Sequence, residues 1–191
     1  MNDESTIEKR HSHTTPASNL LLPQAGRDHM QGPIDAPSAL VEYGDYECPY
    51  CGEAYPIIKA VQERLGDRLC FVFRNFPLVN AHPHAQHAAE AAEGAGVQGK
   101  FWEMHDLLFE IQNALDDEDL ARYATTLGLD DRRLIGEIVA GTHTGRVRDD
   151  FRSGVRGGVN GTPTFFVNGV RHDGEPSVDA LVATLTRRHT R

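Results

Sequence analysis

One segment constrains this chain more than any other: an apolar strand pattern that runs directly into the motif Cys48-Pro49-Tyr50-Cys51. Two thiols at this spacing can close a small disulfide ring, or reopen it, with little movement of the backbone. They can therefore act as a reversible two-electron switch. Pro49 suits the first turn of a helix, where its missing N–H costs nothing. The motif is predicted to open a helix that runs to about Leu65.

The two cysteines are predicted to have different roles. At a helix N-terminus, the sulfur of Cys48 lies against unpaired backbone N–H groups and the positive end of the helix dipole, and both favour a thiolate. We therefore assign Cys48 as the nucleophile. Cys51 lies a turn deeper and suits the resolving role. Asp45 and Glu47 add negative charge nearby and oppose the dipole, so we expect the thiolate to be only moderately favoured.

Glu42 is an acid within this strand pattern, six residues before Cys48. If it points beneath Cys51, it is a carboxylate in poor solvent with a raised pKa, able to accept or return the proton of Cys51. The alternative is an acid that faces water on an edge strand. The flanking Leu40 and Val41 indicate a buried strand and favour the functional interpretation.

Composition places limits on the class of protein. The chain has 191 residues, of which 39% are hydrophobic and 25% charged, and this suits one globular domain with a sizeable core. Its net charge of -9 argues against nucleic acid or an anionic membrane surface as a partner. No apolar run reaches the length of a membrane span, and residues 1–18 have no signal-peptide core. We expect a cytoplasmic monomer, or an extracytoplasmic one if the N-terminus is truncated.

Three cysteines, two of them in one motif, do not make a structural disulfide framework. Half a zinc site is an alternative, because zinc takes four N or S ligands and the motif supplies two. The nearest candidates for the others are His82, His84 and His87, whose spacing gives no fitting pair with the cysteines. A separate metal site at these histidines would need convergent side chains. A single motif that opens a helix after a strand favours redox chemistry.

The pattern along the chain predicts a tail and one domain in three parts. Residues 1–27 are rich in Ser, Thr, His, Asn and Pro without a sustained period, which indicates a mobile tail. Residues 28–82 form a β-α-β unit that can include a short edge strand. Residues 83–158 are entirely helical, with five short helices. Residues 159–191 form a hairpin that turns at an Asn-Gly pair, followed by a last helix.

The second strand of the β-α-β unit is predicted from Leu69 to Asn75. A right-handed crossover makes it parallel to the first strand and places Cys48 at a carboxyl end of the sheet, where open α/β sheets have their sites. Cys70 falls within this apolar strand pattern. We predict that Cys70 is a buried packing residue; a regulatory thiol is the alternative.

A distant segment, Gly-Thr-Pro-Thr-Phe-Phe at residues 161–166, completes a recognisable combination. With the Cys-Pro-Tyr-Cys motif, Glu42 and the helix proline Pro56, it resembles the DsbA-like disulfide oxidoreductases of the thioredoxin superfamily. The resemblance extends from about His29 to the C-terminus. It implies an α/β, thioredoxin-like fold, in which a central mixed sheet carries an all-helical insertion between strand 2 and the C-terminal β-hairpin.

The resemblance also implies a substrate-binding surface. The Thr162–Pro163 bond is expected to be cis and to face the cysteines, so that the backbone of Thr162 offers its N–H and C=O to an extended peptide. Taken alone, Pro163 could be a turn proline before a strand. Pro49 and Tyr50 are expected to contact substrate, although Tyr50 could be an exposed spacer. The Pro-Tyr dipeptide matches that of glutaredoxins and predicts a potential of about -200 mV.

Together these features predict a thiol-disulfide oxidoreductase. It exchanges disulfides with protein or peptide thiols through Cys48 and Cys51, while Glu42 or a nearby water moves the proton of Cys51. The redox-active disulfide is expected to need no organic cofactor or metal, and the electron donor or acceptor is unidentified. The alternative is a thioredoxin-fold peptide-binding or redox-sensing module without turnover.

Overall fold

A five-stranded mixed sheet forms the centre of the computed structural model, which describes residues 21–187. The strands are β1 (His29–Gln31), β2 (Ser38–Gly44), β3 (Leu69–Asn75), β4 (Thr164–Val167) and β5 (Val170–His172). Their spatial order is β1-β3-β2-β4-β5. Strands β2 and β3 are parallel, and the other neighbouring pairs are antiparallel. The expected edge strand is thus present as β1.

Seven α-helices accompany the sheet within the described range. They are α1 (Pro49–Leu65), α2 (Ala85–Val97), α3 (Phe101–Glu110), α4 (Asp117–Thr126), α5 (Asp131–Val139), α6 (Thr144–Arg156) and α7 (Val178–Thr186), and a short 3-10 turn, Gly66–Arg68, precedes β3. Helices α2 to α6 lie between β3 and β4. This arrangement confirms the predicted helical insertion.

Each face of the sheet packs against its own apolar cluster. Side chains alternate between the faces of a strand, so Leu40 and Phe71, which are opposite each other in β2 and β3, belong to one cluster with α1 and α7. Val41 and Val72, one residue further on, belong to the other cluster, on the face where α6 meets β3. Cys70 is 1% exposed on this second face, which confirms that it is a buried packing residue.

A buried ionic network lies on the α6 face. Arg74 of β3 is completely buried and donates hydrogen bonds to both carboxylate oxygens of Asp28, at 3.0 and 2.7 Å. It also donates to the Tyr43 hydroxyl at 2.8 Å and to the carbonyl of Leu22 at 2.9 Å. These partners satisfy a guanidinium that is out of contact with water.

The expected boundary of the N-terminal tail needs a correction. Residues 21–27 were assigned to a mobile tail, yet Leu21 packs against the apolar cluster of the α6 face and the carbonyl of Leu22 binds Arg74. Arg27 also donates a hydrogen bond to Asp150 of α6 at 2.9 Å. These contacts come from single residues, one of them through its backbone carbonyl, and leave no periodic signal in the sequence. The rest of the predicted tail, residues 1–20, lies outside the described residues.

Candidate active site at the start of helix α1

The local sequence fixes where α1 begins. Cys48 is the N-cap residue, with an extended backbone (φ -73°, ψ 120°), and Pro49 is the first helical residue. The carbonyl of Cys48 accepts hydrogen bonds from the N–H groups of Cys51 at 3.0 Å and Gly52 at 3.1 Å. Because Pro49 has no N–H and a fixed φ, it costs this first turn no hydrogen bond. The free N–H groups of the helix are left to face the sulfur of Cys48.

Cys48 is a free thiol that is only 3% exposed. In its protonated form, Sγ donates to the carbonyl of Thr162 at 3.4 Å. The pKa of Cys48 is lowered to about 5, mainly because the Cys51 thiol donates a hydrogen bond to it. Burial opposes this shift, and hydrogen bonds from Thr162 and from the backbone of Cys51 and Tyr50 reinforce it. The thiolate is therefore favoured more strongly than the sequence predicted.

Cys51 and Glu42 are both buried, and the charge of Cys48 acts on each of them. Burial raises the pKa of Cys51 well above its ordinary value, and the hydrogen bond to Cys48 and the charges of Glu42 and Cys48 add to the effect. Glu42 is 3% exposed, and burial, followed by the charge of Cys48, raises its pKa to about 8. Its strand β2 is interior to the sheet, so Glu42 is not an acid on a solvated edge.

The loop before β4 meets Cys48 from the other end of the chain. The Thr162–Pro163 peptide bond is cis, and β4 begins at Thr164. The Thr162 hydroxyl is buried, and no group within residues 21–187 makes a hydrogen bond with it in the geometry of the structure. It nevertheless lies close enough to the Cys48 sulfur to lower the pKa of that thiol. A Cys48 thiolate would supply this hydroxyl with an acceptor.

A cleft of about 410 Å³ lies next to these two segments. Tyr50, which is 67% exposed, lines it together with Thr162 and Pro163. Pro49 is exposed at the helix start and does not belong to its lining. The remaining lining residues are Glu53, Ala54, Ile57, Phe165, His172, Gly174, Glu175 and Pro176. Three of the four predicted substrate-binding residues therefore share one concave surface.

Gln112, in the loop after α3, contacts the active-site loop. Its Nε2 donates to the carbonyl of Tyr46 at 2.7 Å and to the carbonyl of Cys48 at 3.0 Å. The amide also lies against Gly52, where a side-chain carbon would collide with it. Gln112 thus attaches the helical insertion to the helix start. A lone glutamine in a loop belongs to no motif, so nothing in the sequence identified it.

Asp45 is surrounded by hydrogen-bond donors. Its carboxylate accepts from the N–H of Glu47 at 2.9 Å, the N–H of Leu78 at 2.8 Å and Nδ1 of His82 at 2.8 Å. Its own N–H donates to Sγ of Cys51 at 3.4 Å. The sequence interpretation treated Asp45 as an uncompensated charge beside Cys48. The compensation comes from a segment more than thirty residues away, which explains why it was missed.

The three histidines that were considered as metal ligands each contact a different carboxylate. The pairs are His82 with Asp45 at 2.8 Å, His84 with Glu47 at 2.9 Å and His87 with Asp117 at 2.7 Å. Within residues 21–187, no three His, Cys, Asp or Glu side chains are grouped so that they could hold a metal ion.

Comparison with known proteins gives the family. The family model described as Thioredoxin matches residues 24–187, so the chain belongs to the thioredoxin family. It is 48% identical over 171 residues to the Na(+)/H(+) antiporter NhaA 1 of Salinispora arenicola, a match that covers 88% of this chain and 26% of the antiporter. The chain spans about a quarter of the length of the curated relatives it matches. None of the helices in the described range is long and apolar enough to cross a membrane.

Solved structures agree with the family. Oxidised BdbD from Bacillus subtilis is 25% identical, with a TM-score of 0.77 over 86% of this chain and 94% of that chain. A thioredoxin-like oxidoreductase from Silicibacter pomeroyi DSS-3 is also 25% identical, with a TM-score of 0.76 over 87% and 94%. The structural neighbours are DsbA-like thiol-disulfide oxidoreductases, which confirms the predicted resemblance and the thioredoxin-like fold.

Proposed function

We propose that this chain exchanges disulfides with protein or peptide thiols through Cys48 and Cys51. The observation that carries the proposal is the opposite acidity of the two sulfurs, with a pKa of about 5 for Cys48 and a strongly raised pKa for Cys51. Thiolates are the attacking species in disulfide exchange. At neutral pH, Cys48 is therefore ready to attack while Cys51 is held in reserve as a thiol.

The exchange has two steps in each direction. In oxidation, a substrate thiolate attacks Sγ of Cys48, the Cys48–Cys51 bond breaks, and its electron pair goes to Cys51. A second substrate thiolate then attacks the substrate sulfur of the mixed disulfide, which forms the substrate disulfide and releases the Cys48 thiolate. In reduction, Cys48 attacks a substrate disulfide and Cys51 displaces the substrate from the mixed disulfide.

Glu42 is proposed to move the proton of Cys51. A group with a pKa of about 8 exchanges protons readily near neutral pH, which matches what a general acid or base needs. In reduction, Glu42 accepts the proton as Cys51 attacks the mixed disulfide. In oxidation, it returns a proton to the Cys51 thiolate that the first step produces.

The cleft beside Thr162 and Pro163 is proposed to bind the substrate peptide. An extended peptide there would pair with the backbone of Thr162 and bring its sulfur toward Cys48. Tyr50 and Ile57 offer apolar contact on the α1 side. The curated relatives are named as ion antiporters, but most of the segment that they share with this chain is the one that the thioredoxin family model covers. The proposal therefore takes only redox chemistry from the comparison.

The preferred direction is proposed to be oxidation of substrate thiols. A stabilised Cys48 thiolate favours the reduced protein, and a protein with a stabilised reduced form is an oxidant. Asp45 and Glu47, which were expected to weaken this effect, are paired with His82 and His84. We therefore expect a potential less negative than the about -200 mV that the dipeptide predicts. Equilibration with glutathione redox buffers measures it.

The experiment for the proposed function is reduction of insulin disulfides by dithiothreitol. We expect wild type to accelerate it, Cys48→Ser to lose the acceleration, and Cys51→Ser to accumulate mixed disulfides. Cys70→Ala is the matched control and should retain turnover, because Cys70 lies on the other face of the sheet. Peptide binding without turnover in wild type would identify a binding module instead.

A further inference from the structure

The segment between β3 and α2 is attached directly to the active-site loop. The Leu78 N–H and His82 Nδ1 both reach Oδ2 of Asp45, each at 2.8 Å. A tight turn fixes His82 itself, since its N–H donates to the carbonyl of Leu78 at 2.9 Å. His84 adds a second attachment through its backbone N–H, which donates to Glu47 at 2.6 Å. The His82 ring is thus held in one place relative to the cysteines.

The groups around His82 are anionic. Asp45 binds its Nδ1, and the charges of Cys48 and Glu47 also act on it. All three come from the loop between β2 and α1, and His84, the nearest titratable group on the same segment, is itself paired with Glu47. Burial disfavours the charged ring, but these partners outweigh it and raise the pKa of His82. Asp45 in turn touches the second sulfur, because its N–H donates to Cys51.

We propose that His82 is a positioning residue: held by Asp45, its imidazolium stabilises the Cys48 thiolate and makes the redox equilibrium of the pair depend on whether His82 is protonated. This rests on the proposed exchange chemistry of Cys48 and Cys51, and it adds a regulator from the helical side of the fold. No role in binding substrate is needed.

The proton balance gives the sign of the effect. Reduction breaks the Cys48–Cys51 bond, takes two electrons and, at neutral pH, leaves a Cys48 thiolate and a Cys51 thiol, so it takes up one proton. The new negative charge strengthens proton binding at His82, which takes up a further fraction of a proton. The reduced form therefore gains stability at pH values where His82 is protonated. That gain is lost as the pH rises through the titration of His82.

The test compares His82→Gln with His87→Gln, a matched control whose histidine pairs with Asp117 of α4 instead. Each protein is equilibrated with glutathione redox buffers at pH 6 and pH 8, and the reduced fraction is measured by thiol trapping. We expect His82→Gln to reduce the equilibrium constant for the reduced form about 3- to 10-fold at pH 6, from the loss of one nearby charge at intermediate dielectric. The difference from wild type should shrink at pH 8, and His87→Gln should match wild type at both.

A second measurement needs no variant. The NMR titration of the His82 ring in wild type should give a higher pKa in the reduced protein than in the oxidised one. Equal titration in both states, or an equal loss in His82→Gln at pH 6 and pH 8, would overturn the proposal and leave His82 a structural residue. These outcomes can be distinguished from a failure of the proposed function. In that case wild type would form no Cys48–Cys51 disulfide in any glutathione buffer.

Discussion

The sheet buries a charged side chain on each of its faces, and the two have opposite surroundings. On the α6 face, Arg74 is paired with Asp28, and both side chains are completely buried. On the α1 face, Glu42 lies beside Phe73 and Phe165 of the neighbouring strands and forms no salt bridge within residues 21–187. Both residues are shielded from water, with exposures of 0% for Arg74 and 3% for Glu42. They differ in whether an opposite charge accompanies them.

This difference indicates that the charge of Arg74 is structural, whereas Glu42 can take part in proton transfer. Burial disfavours the charge of Arg74, but hydrogen bonds and charges from Asp28 and Tyr43 more than restore it, so its pKa is raised and it stays ionised. Glu42 has no such compensation, and its pKa moves to about 8. A paired buried charge is locked in one protonation state, whereas an unpaired one can exchange its proton near neutral pH.

The largest effect is expected for Glu42→Gln in the resolution step. The change keeps the shape of the side chain but removes the proton acceptor, and a positioned general base typically contributes about 10²- to 10⁴-fold. Single-turnover quenching should show normal attack by Cys48 followed by accumulation of the mixed disulfide. Glu63→Gln, an exposed acid of α1 outside the cleft, is the control and should resolve normally. If Glu42→Gln resolves the mixed disulfide at the wild-type rate, Glu42 has no chemical role and is a structural residue like Arg74.

On the opposite face, Asp28→Asn should unfold the protein more easily without touching the redox chemistry. Removing one partner of a buried ion pair leaves an uncompensated charge and typically costs about 3–5 kcal/mol. Urea denaturation measures the free energy of unfolding, and Asp35→Asn, at an exposed position, is the control. If Asp28→Asn instead changed the pH profile of Cys48 alkylation, the buried ion pair on the α6 face would influence the redox site on the α1 face, and the two faces would not have separate roles.

The pH dependence of stability should sharpen the comparison. The folded pKa of Glu42, about 8, lies above the ordinary value of 4.5, so between these values the folded state keeps a proton that the unfolded state loses. Stability then falls as the pH rises through this window, by at most about 1.4 kcal/mol per pH unit. In the reduced proteins, Cys48 contributes in the opposite direction, because its folded pKa of about 5 lies below the ordinary value of 9.0. The test is therefore the difference between the two proteins: Glu42→Gln should gain stability relative to wild type as the pH rises from 5 to 8, on the order of a few kcal/mol. Thermal or urea unfolding at pH 5 and pH 8 measures the stability of both proteins. The same change in stability with pH in wild type and Glu42→Gln would refute the prediction.

The parts of the site that follow one another in sequence could be predicted. Pro49 fixes the helix start and hence the position of Cys48, and the apolar run around Glu42 indicates its burial. The acidity of Cys48 could not be predicted, because it depends on which hydrogen-bond donors reach its sulfur, and one of them, Thr162, comes from a distant segment. The contact of Gln112 with the active-site loop could not be predicted for the same reason. Contacts between irregular segments have no periodicity, and only the packed chain brings them together.

The smallest effect is expected for removal of the Thr162 hydroxyl, which is placed to donate a hydrogen bond to the Cys48 thiolate. Its buried hydroxyl lowers the pKa of Cys48 and has no other hydrogen-bond partner within the described range. Thr162→Val keeps the shape of the side chain but removes this donor, so the thiolate should become less stable and the pKa of Cys48 should rise above about 5. A hydrogen bond contributes about 0.5–1.5 kcal/mol net, so alkylation of Cys48 near pH 5 should slow roughly 2- to 10-fold. Thr162→Ser, which keeps the hydroxyl, should restore the wild-type profile. If Thr162→Val and wild type titrate alike, the acidity of Cys48 comes from Cys51 and the helix start alone.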